Sequence, residues 1–319
     1  MAKLIIQIPC LDEEATLPRT LADLPREVAG FDSVEWLVVD DGSRDRTVAV
    51  ARAHGVDHVV RLPAHRGLAA AYQAGVDASL KLGADVIVNT DADNQYRGAD
   101  VQRLVAPILA GDADLVVGDR EVRTSAHFSA RKRGLSRLGS WFVRRASSTR
   151  VADAASGFRA LNREAAIRTH VVSTYTYTLE SLIAAGRASV AVAHVPVRTN
   201  PDTRPSRLFP SLWTYVRRNG LSIFRIYAQH EPLRVFCAAA AVVGLAGVGL
   251  AFASLVAGAV LLGTAVLLAG LGVIGDLLYA QRVLTQRALE RARRIELELG
   301  VPPSHHDNGA GNGHHRVSS

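Results

Sequence analysis

Cysteine is nearly missing from this chain of 319 residues: Cys10 and Cys237 are the only two. That excludes a disulfide-stapled secreted scaffold, and with no Cys/His spacing of the zinc-ligand kind it excludes a structural zinc module. A reducing, cytoplasmic setting is therefore expected. No Walker-type Gly-rich loop and no Ser-His-Asp ordering is apparent, so ATPase and hydrolase readings gain little support. No long apolar stretch follows Met1; Lys3 and Leu4 lead straight into a strand pattern, and the soluble part is expected to stay in the cytoplasm. The most telling absence is local. From Val235 to Gly275 there is no Asp, Glu, Lys, Arg or His. One membrane-crossing helix needs about 20 apolar residues, so this run has room for two.

Elsewhere the chain is ordinary. Apolar residues make up 48% and charged residues 21%, which rules out wholesale disorder and collagen-like or coiled-coil architecture. The formal charge of +7 arises in the second half, where acidic residues are few beside the arginines; anionic lipid is the expected partner for that excess, and nucleic acid is not.

The first 120 residues alternate strand and helix. Leu4–Ile8, Trp36–Val39, His58–Val60, Val86–Val88 and Leu115–Val117 read as strands, and Glu13–Leu24, Asp45–His54, Gly67–Leu82 and Ala99–Leu109 carry apolar residues at helical spacing. Such alternation implies a mostly parallel sheet covered on both faces, with ligands bound at the carboxyl ends of its strands. A further strand is expected near Val190–Val197. The expected division is a catalytic domain over 1–207, an amphipathic interfacial segment over 208–232, a transmembrane hairpin over 233–282, and a basic helix with a disordered tail over 283–319. Within the hairpin, the spans read as Leu233–Val256 and Val260–Tyr279, turning near Ala257-Gly258-Ala259, with small residues such as Gly244 and Gly263 allowing close packing. Arginines flank both ends, Arg217, Arg218, Arg225 and Arg234 before and Arg282, Arg287, Arg291, Arg293 and Arg294 after, which places both ends in the cytoplasm.

Acidic residues gather at the strand ends. Asp91-Ala92-Asp93 directly follows a buried strand; two carboxylates flanking a small residue suit one hard divalent cation, Mg²⁺ or Mn²⁺, which would bridge a diphosphate. Asp40-Asp41-Gly42-Ser43 ends another strand, where a carboxylate can accept from a ribose or base and Gly42 permits a tight turn. Asp40 and Ser43 also read as N-caps for a helix beginning at Arg44.

The series Pro9-Cys10-Leu11-Asp12-Glu13-Glu14, Val38-Val39-Asp40-Asp41-Gly42-Ser43, Asp91-Ala92-Asp93-Asn94-Gln95, Gly118-Asp119-Arg120 and Ser156-Gly157-Phe158-Arg159 resembles the family 2 glycosyltransferases, in particular dolichol-phosphate mannose synthases and bacterial polyprenyl-phosphate glycosyltransferases. The resemblance covers about residues 4 to 232. It implies a Rossmann-like α/β domain of the nucleotide-diphospho-sugar transferase (GT-A) type, here followed by a two-helix membrane hairpin. By that resemblance Pro9, Leu11, Glu13, Val39 and Asp41 line the nucleoside pocket; Asp91, Ala92, Asp93 and Gln95 meet the metal, diphosphate or sugar, with Asp91, Asp93 and Gln95 as metal ligands; and Arg120 faces the phosphates. Asp93 and Arg120 would be the catalytic residues. The chain departs from the pattern at Leu11-Asp12, where Tyr-Asn is usual. Another departure is Thr203 to Leu208, where Arg204 and Arg207 replace a Gly-x-Ser-Lys element and are carried over as donor-binding residues.

The chemistry favours a phosphate as acceptor. A hydroxyl acceptor needs a general base, whereas a phosphate monoester, with a second pKa near 6, is already largely dianionic at neutral pH. Arg131, Lys132 and Arg133 with Ser136, one helical turn across, suit such a phosphate and resemble the acceptor-binding segment of the family. The expected function is transfer of a hexosyl group from a nucleotide diphosphate sugar of the GDP-mannose or UDP-glucose type to a polyprenyl phosphate at the cytoplasmic membrane face. Two alternatives stand beside it: a hydroxyl acceptor, for which His65, Asp153 and Glu180 are the candidate bases, and a silent membrane-tethered module that binds nucleotide sugars.

Overall fold

The computed structural model describes residues 1–120, 153–171, 177–200, 228 and 231–307. Seven strands form one sheet: β1 (Lys3–Cys10), β2 (Ser33–Asp40), β3 (His58–Arg61), β4 (Val86–Asn89), β5 (Leu115–Asp119), β6 (Arg159–Asn162) and β7 (Val192–Pro196), in the order β3-β2-β1-β4-β6-β5-β7. β1 to β4 are mutually parallel. Their interiors are rich in Val, Leu and Ile because both faces are covered, with Gln7 a buried polar exception inside β1. Ile5, Leu37, Val39 and Ile87 pack under α3 (Leu68–Lys81), while Leu4, Ile6, Ile8, Val38 and Val88 pack under α1 (Leu17–Asp23), α2 (Thr47–Ala53) and α4 (Val101–Leu109). Two further helices are described in the domain, α5 (Arg163–Arg168) and α6 (Tyr177–Arg187), the latter adding Leu182 and Ala185 to the α3 side.

The chain runs outward from β1 through β2 to β3 and then returns to lay β4 on the other side of β1. That reversal opens a crevice at the carboxyl ends of β1 and β4, the place where open α/β sheets bind ligands. Parallel register aligns Pro9 with Val39, Cys10 with Asp40, and Gln7 with Asn89, so the acidic motifs come out at one edge. β6 is the departure from expectation: it is antiparallel to both β4 and β5, with Arg159 opposite Asn89. Its four residues, Arg-Ala-Leu-Asn, are too few and too polar at their ends to announce a strand.

The apolar run forms α7 (Pro232–Ala251) and α8 (Leu255–Glu298). Their turn, at Phe252–Ser254, comes before the expected Ala257–Ala259, and α8 continues unbroken through the basic stretch. Both helices are long and apolar enough to cross a membrane, and little of their apolar surface is buried: Val242, Leu245, Val266 and Leu267 are all exposed. Small residues line their mutual face at seven-residue steps, Ala240 and Gly247 on α7 against Gly258, Ala265 and Gly272 on α8. A Cβ on Gly247 would meet Leu261 and Leu262, and one on Gly258 would collide with Ala251 at 2.5 Å. Gly263, by contrast, has nothing near it and takes no part.

The reading of everything after Val301 as a disordered tail is corrected for 301–307. Residues 293–307 belong with the sheet domain. Arg293 pairs with Asp77 at 2.5 Å and donates to the carbonyls of Ala166 and Ile167; Arg294 pairs with Glu164; His306 bridges Val60 on β3, where the Arg61 N–H donates to the His305 carbonyl and that of Asp307 to the Val59 carbonyl. An edge strand with free N–H and C=O groups recruits such a segment whatever its composition.

Candidate active site

The loops after β1 and β2 are stitched to each other. Asp12, in the left-handed region at φ 53°, donates its N–H to Ser43 Oγ at 3.0 Å and accepts the Arg44 N–H at 2.8 Å. Glu13 N–H donates to Thr47 Oγ1, and Glu14 N–H to Asp45 Oδ2. Asp45 also accepts the Thr47 N–H, so the helix begins at Thr47 under Asp45, and the expected N-capping of an Arg44 helix by Asp40 and Ser43 is replaced by this turn. Burial pushes the Asp45 carboxyl upward, but hydrogen bonds from Thr47 and the Glu14 backbone hold it below its usual range.

Pro9 and Val39 lie side by side at the crevice floor, Leu11 is half-exposed at its rim, and Glu13 is buried and accepts from the Thr16 hydroxyl. Asp41 is committed within the protein. Its two carboxylate oxygens accept the N–H groups of Arg66 at 2.7 Å and Gly67 at 2.9 Å, and His65 Nδ1 sits 2.8 Å away. The loop passes so close that a Cβ on Gly42, already at φ 80°, would lie 2.7 Å from the His65 nitrogen.

The loop after β4 is held on every side. Ala92 is buried and its carbonyl accepts from Thr20; Asn200 bonds the carbonyls of Asn94 and Gln95; Asp23 takes the Gly98 N–H. Asn94 adopts φ 57°, a conformation asparagine tolerates, and Asp93 Oδ1 accepts the Gln95 N–H at 3.1 Å. No hydrogen bond reaches the Asp91 carboxylate among the described residues. Burial and the neighbouring Asp93 charge push it up to about 6, against the pull of Arg120 and Arg159. Asn94 Oδ1 is likewise buried without a partner.

Arg120 faces Asp153. Nε and Nη2 donate to the two Asp153 oxygens at 2.7 and 3.2 Å, a bidentate pair, while Nη1 reaches Gln95 Oε1 at 3.4 Å. Gln95 thus points its amide oxygen at Arg120. Two of the five guanidinium N–H groups remain for a further acceptor. The candidate bases fare differently: Asp153 is taken by Arg120, His65 stands on Asp41, and Glu180 is buried in α6. Arg131, Lys132, Arg133, Ser136, Arg204 and Arg207 lie outside the described residues.

Sequence reasoning missed the floor beneath this loop. Gln7 Nε2 donates to Asn89 Oδ1; Asn89 Nδ2 donates to the Gly157 carbonyl at 2.8 Å and to Tyr177 Oη; the Gly157 N–H donates to Tyr96 Oη at 3.1 Å. Polar residues in otherwise apolar strands, Gln7 inside β1 and Asn89 at the end of β4, were the available signal.

The residues fit a divalent cation. Two adjacent carboxylates, one lifted by its neighbour's charge and left without a donor, are an unbalanced negative site. Among the described residues no group of three His, Cys, Asp or Glu side chains could form a cage of their own. That is the donor set Mg²⁺ accepts when substrate phosphates and water supply the remaining positions.

Residues 5–169 match the family model described as glycosyl transferase family 2. The chain is 34% identical to the polyprenol monophosphomannose synthase of Mycolicibacterium smegmatis over 167 residues, 50% of this chain and 62% of that one. It is 29% identical to the undecaprenyl-phosphate mannosyltransferase of Micrococcus luteus, over 60% of this chain and 80% of that one. Among solved structures, glucosyl-3-phosphoglycerate synthase of Mycobacterium tuberculosis, in complex with Mn²⁺, uridine diphosphate and glucosyl-3-phosphoglycerate, superimposes with a TM-score of 0.52 at 23% identity, over 70% of this chain and 80% of that one. This last likeness is one of fold.

Proposed function

The chain belongs to glycosyl transferase family 2, and from that premise we propose that it moves one hexosyl group, with inversion, from a nucleotide diphosphate sugar to a polyprenyl phosphate at the cytoplasmic face of the membrane. The observation that carries the reading is the loop after β4: Thr20 and Asn200 hold its carbonyls, yet no described residue donates to the Asp91 carboxylate beside Asp93. Names of relatives support the lipid acceptor, since a polyprenol monophosphomannose synthase and an undecaprenyl-phosphate mannosyltransferase align over this domain.

Asp91 and Asp93, with Gln95 beside them, would hold Mg²⁺ or Mn²⁺. When bound, the ion offsets the charge that collects on the departing diphosphate. The chain's own residues do the rest. Pro9, Leu11 and Val39 offer apolar surface to the nucleoside, and Asp41 shapes the pocket wall through the Arg66–Gly67 backbone. Arg120, oriented by Asp153, aims its remaining N–H groups at the phosphates. An acceptor phosphate oxygen forms a bond to the anomeric carbon while the bond from that carbon to the diphosphate oxygen breaks, and the nucleoside diphosphate leaves. No proton has to be removed, which suits a site whose Asp153 is locked in an ion pair. Arg131, Lys132, Arg133 and Ser136 are the proposed acceptor-phosphate clamp, and Arg204 and Arg207 a further donor contact. The two apolar helices would bring the lipid-borne phosphate and the domain to one membrane surface, with anionic lipid attracting the flanking arginines.

The test is a matrix of donors and acceptors. Full-length protein with Mg²⁺, labelled GDP-mannose or UDP-glucose, and decaprenyl or undecaprenyl phosphate should move label into a chloroform-soluble product. Label that stays water-soluble with every donor overturns the proposal, and label moving to a hydroxyl acceptor would replace the phosphate.

A further inference from the structure

Beneath the acidic loop lies a charge that the proposed reaction does not use. Arg159 is fully buried, and among the described residues no carboxylate bonds it. Its guanidinium donates instead to neutral acceptors: Nε to the Ser156 carbonyl at 2.8 Å, Nη2 to the Ala154 carbonyl at 2.9 Å and Nη1 to Ser181 Oγ at 2.6 Å, with the Tyr177 ring 5.9 Å away. Burying a cation among neutral groups carries a desolvation penalty that an apolar side chain would not. Its partners show what the arrangement achieves. Residues 153–158 have no regular structure, and Arg159 gathers two of their carbonyls from below.

Across the β4–β6 ladder Arg159 faces Asn89, whose amide takes the next carbonyl, that of Gly157. Gly157 in turn is pressed on Asp91: a Cβ there would lie 2.9 Å from both carboxylate oxygens and 2.7 Å from Tyr177 Oη. At its other end the segment carries Asp153, the orienting partner of Arg120. One short stretch therefore sets both the wall behind Asp91 and the direction of Arg120. Two side chains hold it.

We infer that Arg159 and Asn89 are positioning residues that hold segment 153–157 against Asp91 and Arg120, so that the acidic pair is presented to a metal-bound diphosphate. The inference rests on the metal-dependent donor site proposed above. Both side chains are fully buried; Arg159 acts through the Ala154 and Ser156 carbonyls and Asn89 through that of Gly157.

The experiment is calorimetric binding of GDP and UDP to the full-length protein in detergent, with and without Mn²⁺, for wild type, Arg159→Met, Arg159→Lys and Asn89→Leu. Positioning predicts that Arg159→Met and Asn89→Leu lose tenfold or more of the affinity in the presence of Mn²⁺ and less than twofold of the metal-free affinity. Arg159→Lys, which keeps one or two of the carbonyl bonds, should recover part of the loss. A purely structural role would lower both affinities together, or leave both unchanged in a protein with the wild-type melting temperature; either outcome overturns the inference. Should Arg159→Met not fold, Asn89→Leu decides by the same two affinities. A wild-type protein whose nucleotide affinity ignores Mn²⁺ would overturn the metal reading itself, and is thereby distinguishable from a failure confined to Arg159 and Asn89.

Discussion

Two acidic sequences end strands that flank β1, and they have opposite fates. After β2, Asp41 is saturated: two backbone N–H groups and His65 surround it, because the chain from Ala64 to Gly67 folds back over the strand end. After β4, no described residue donates a hydrogen bond to the Asp91 carboxylate, and Gly157 lies so close that a Cβ there would be 2.9 Å from both of its oxygens. The lesson is that a carboxylate at a sheet edge serves the fold or serves a ligand according to what the next loop supplies. Saturation by N–H groups makes it a brace. A glycine in van der Waals contact leaves the charge unspent and the space open.

The largest expected effect tests the open half of that contrast. Asp93→Asn keeps shape and removes charge; kcat/KM should fall about 100-fold or more, roughly 2.7 kcal/mol of transition-state stabilisation. The Mn²⁺ enhancement of nucleotide binding should vanish while the melting temperature holds. Retained turnover would remove the metal from the mechanism.

Asp41→Ala tests the closed half. It strands the Arg66 and Gly67 N–H groups in a site where Asp41 is only 3% exposed, so stability should drop by about 1–3 kcal/mol. Donor KM should rise as the pocket wall loosens, but the response to Mn²⁺ should survive. An Asp41→Ala protein with normal stability and no metal response would erase the distinction between the two carboxylates.

How far this contrast was legible in the sequence depends on the element. The parallel strands were plain because double-sided burial demands apolar runs such as Leu4–Ile8, and the motifs had to emerge at their ends. The brace was not legible, since Asp41 and Asp91 look alike until residues 62–67 and 153–158, distant in sequence, are folded against them. Arg159 and Asn89 were hidden for a similar reason: their antiparallel pairing makes them neighbours, and four-residue β6 carries no alternation to predict it. In the hairpin, composition gave two helices but not the turn, because Phe252 to Ala259 has no charge and no proline to mark the break, and the seven-residue spacing of Gly258, Ala265 and Gly272 becomes meaningful only once it faces Ala240 and Gly247. The 301–307 segment was misread because backbone pairing at the β3 edge needs no sequence signature.

The smallest expected effect is on pH dependence, and it sharpens the same comparison. Asp91 titrates at about 6 in the folded protein, raised by burial and by Asp93 from an ordinary 3.8. Between those two values the native state binds a proton that the unfolded chain does not, so this group stabilises the fold as pH falls from 6 toward 4, and the benefit is lost as pH rises through 6. In metal-free protein the melting temperature of Asp91→Asn should therefore exceed that of wild type at pH 7 and converge with it near pH 4.5. Since a cation competes with that proton, Mn²⁺-dependent nucleotide affinity in wild type should weaken as pH drops through 6. A difference between the two proteins that is the same at pH 7 and pH 4.5 would mean that Asp91 has a donor after all, and that the β4 edge is braced like the β2 edge.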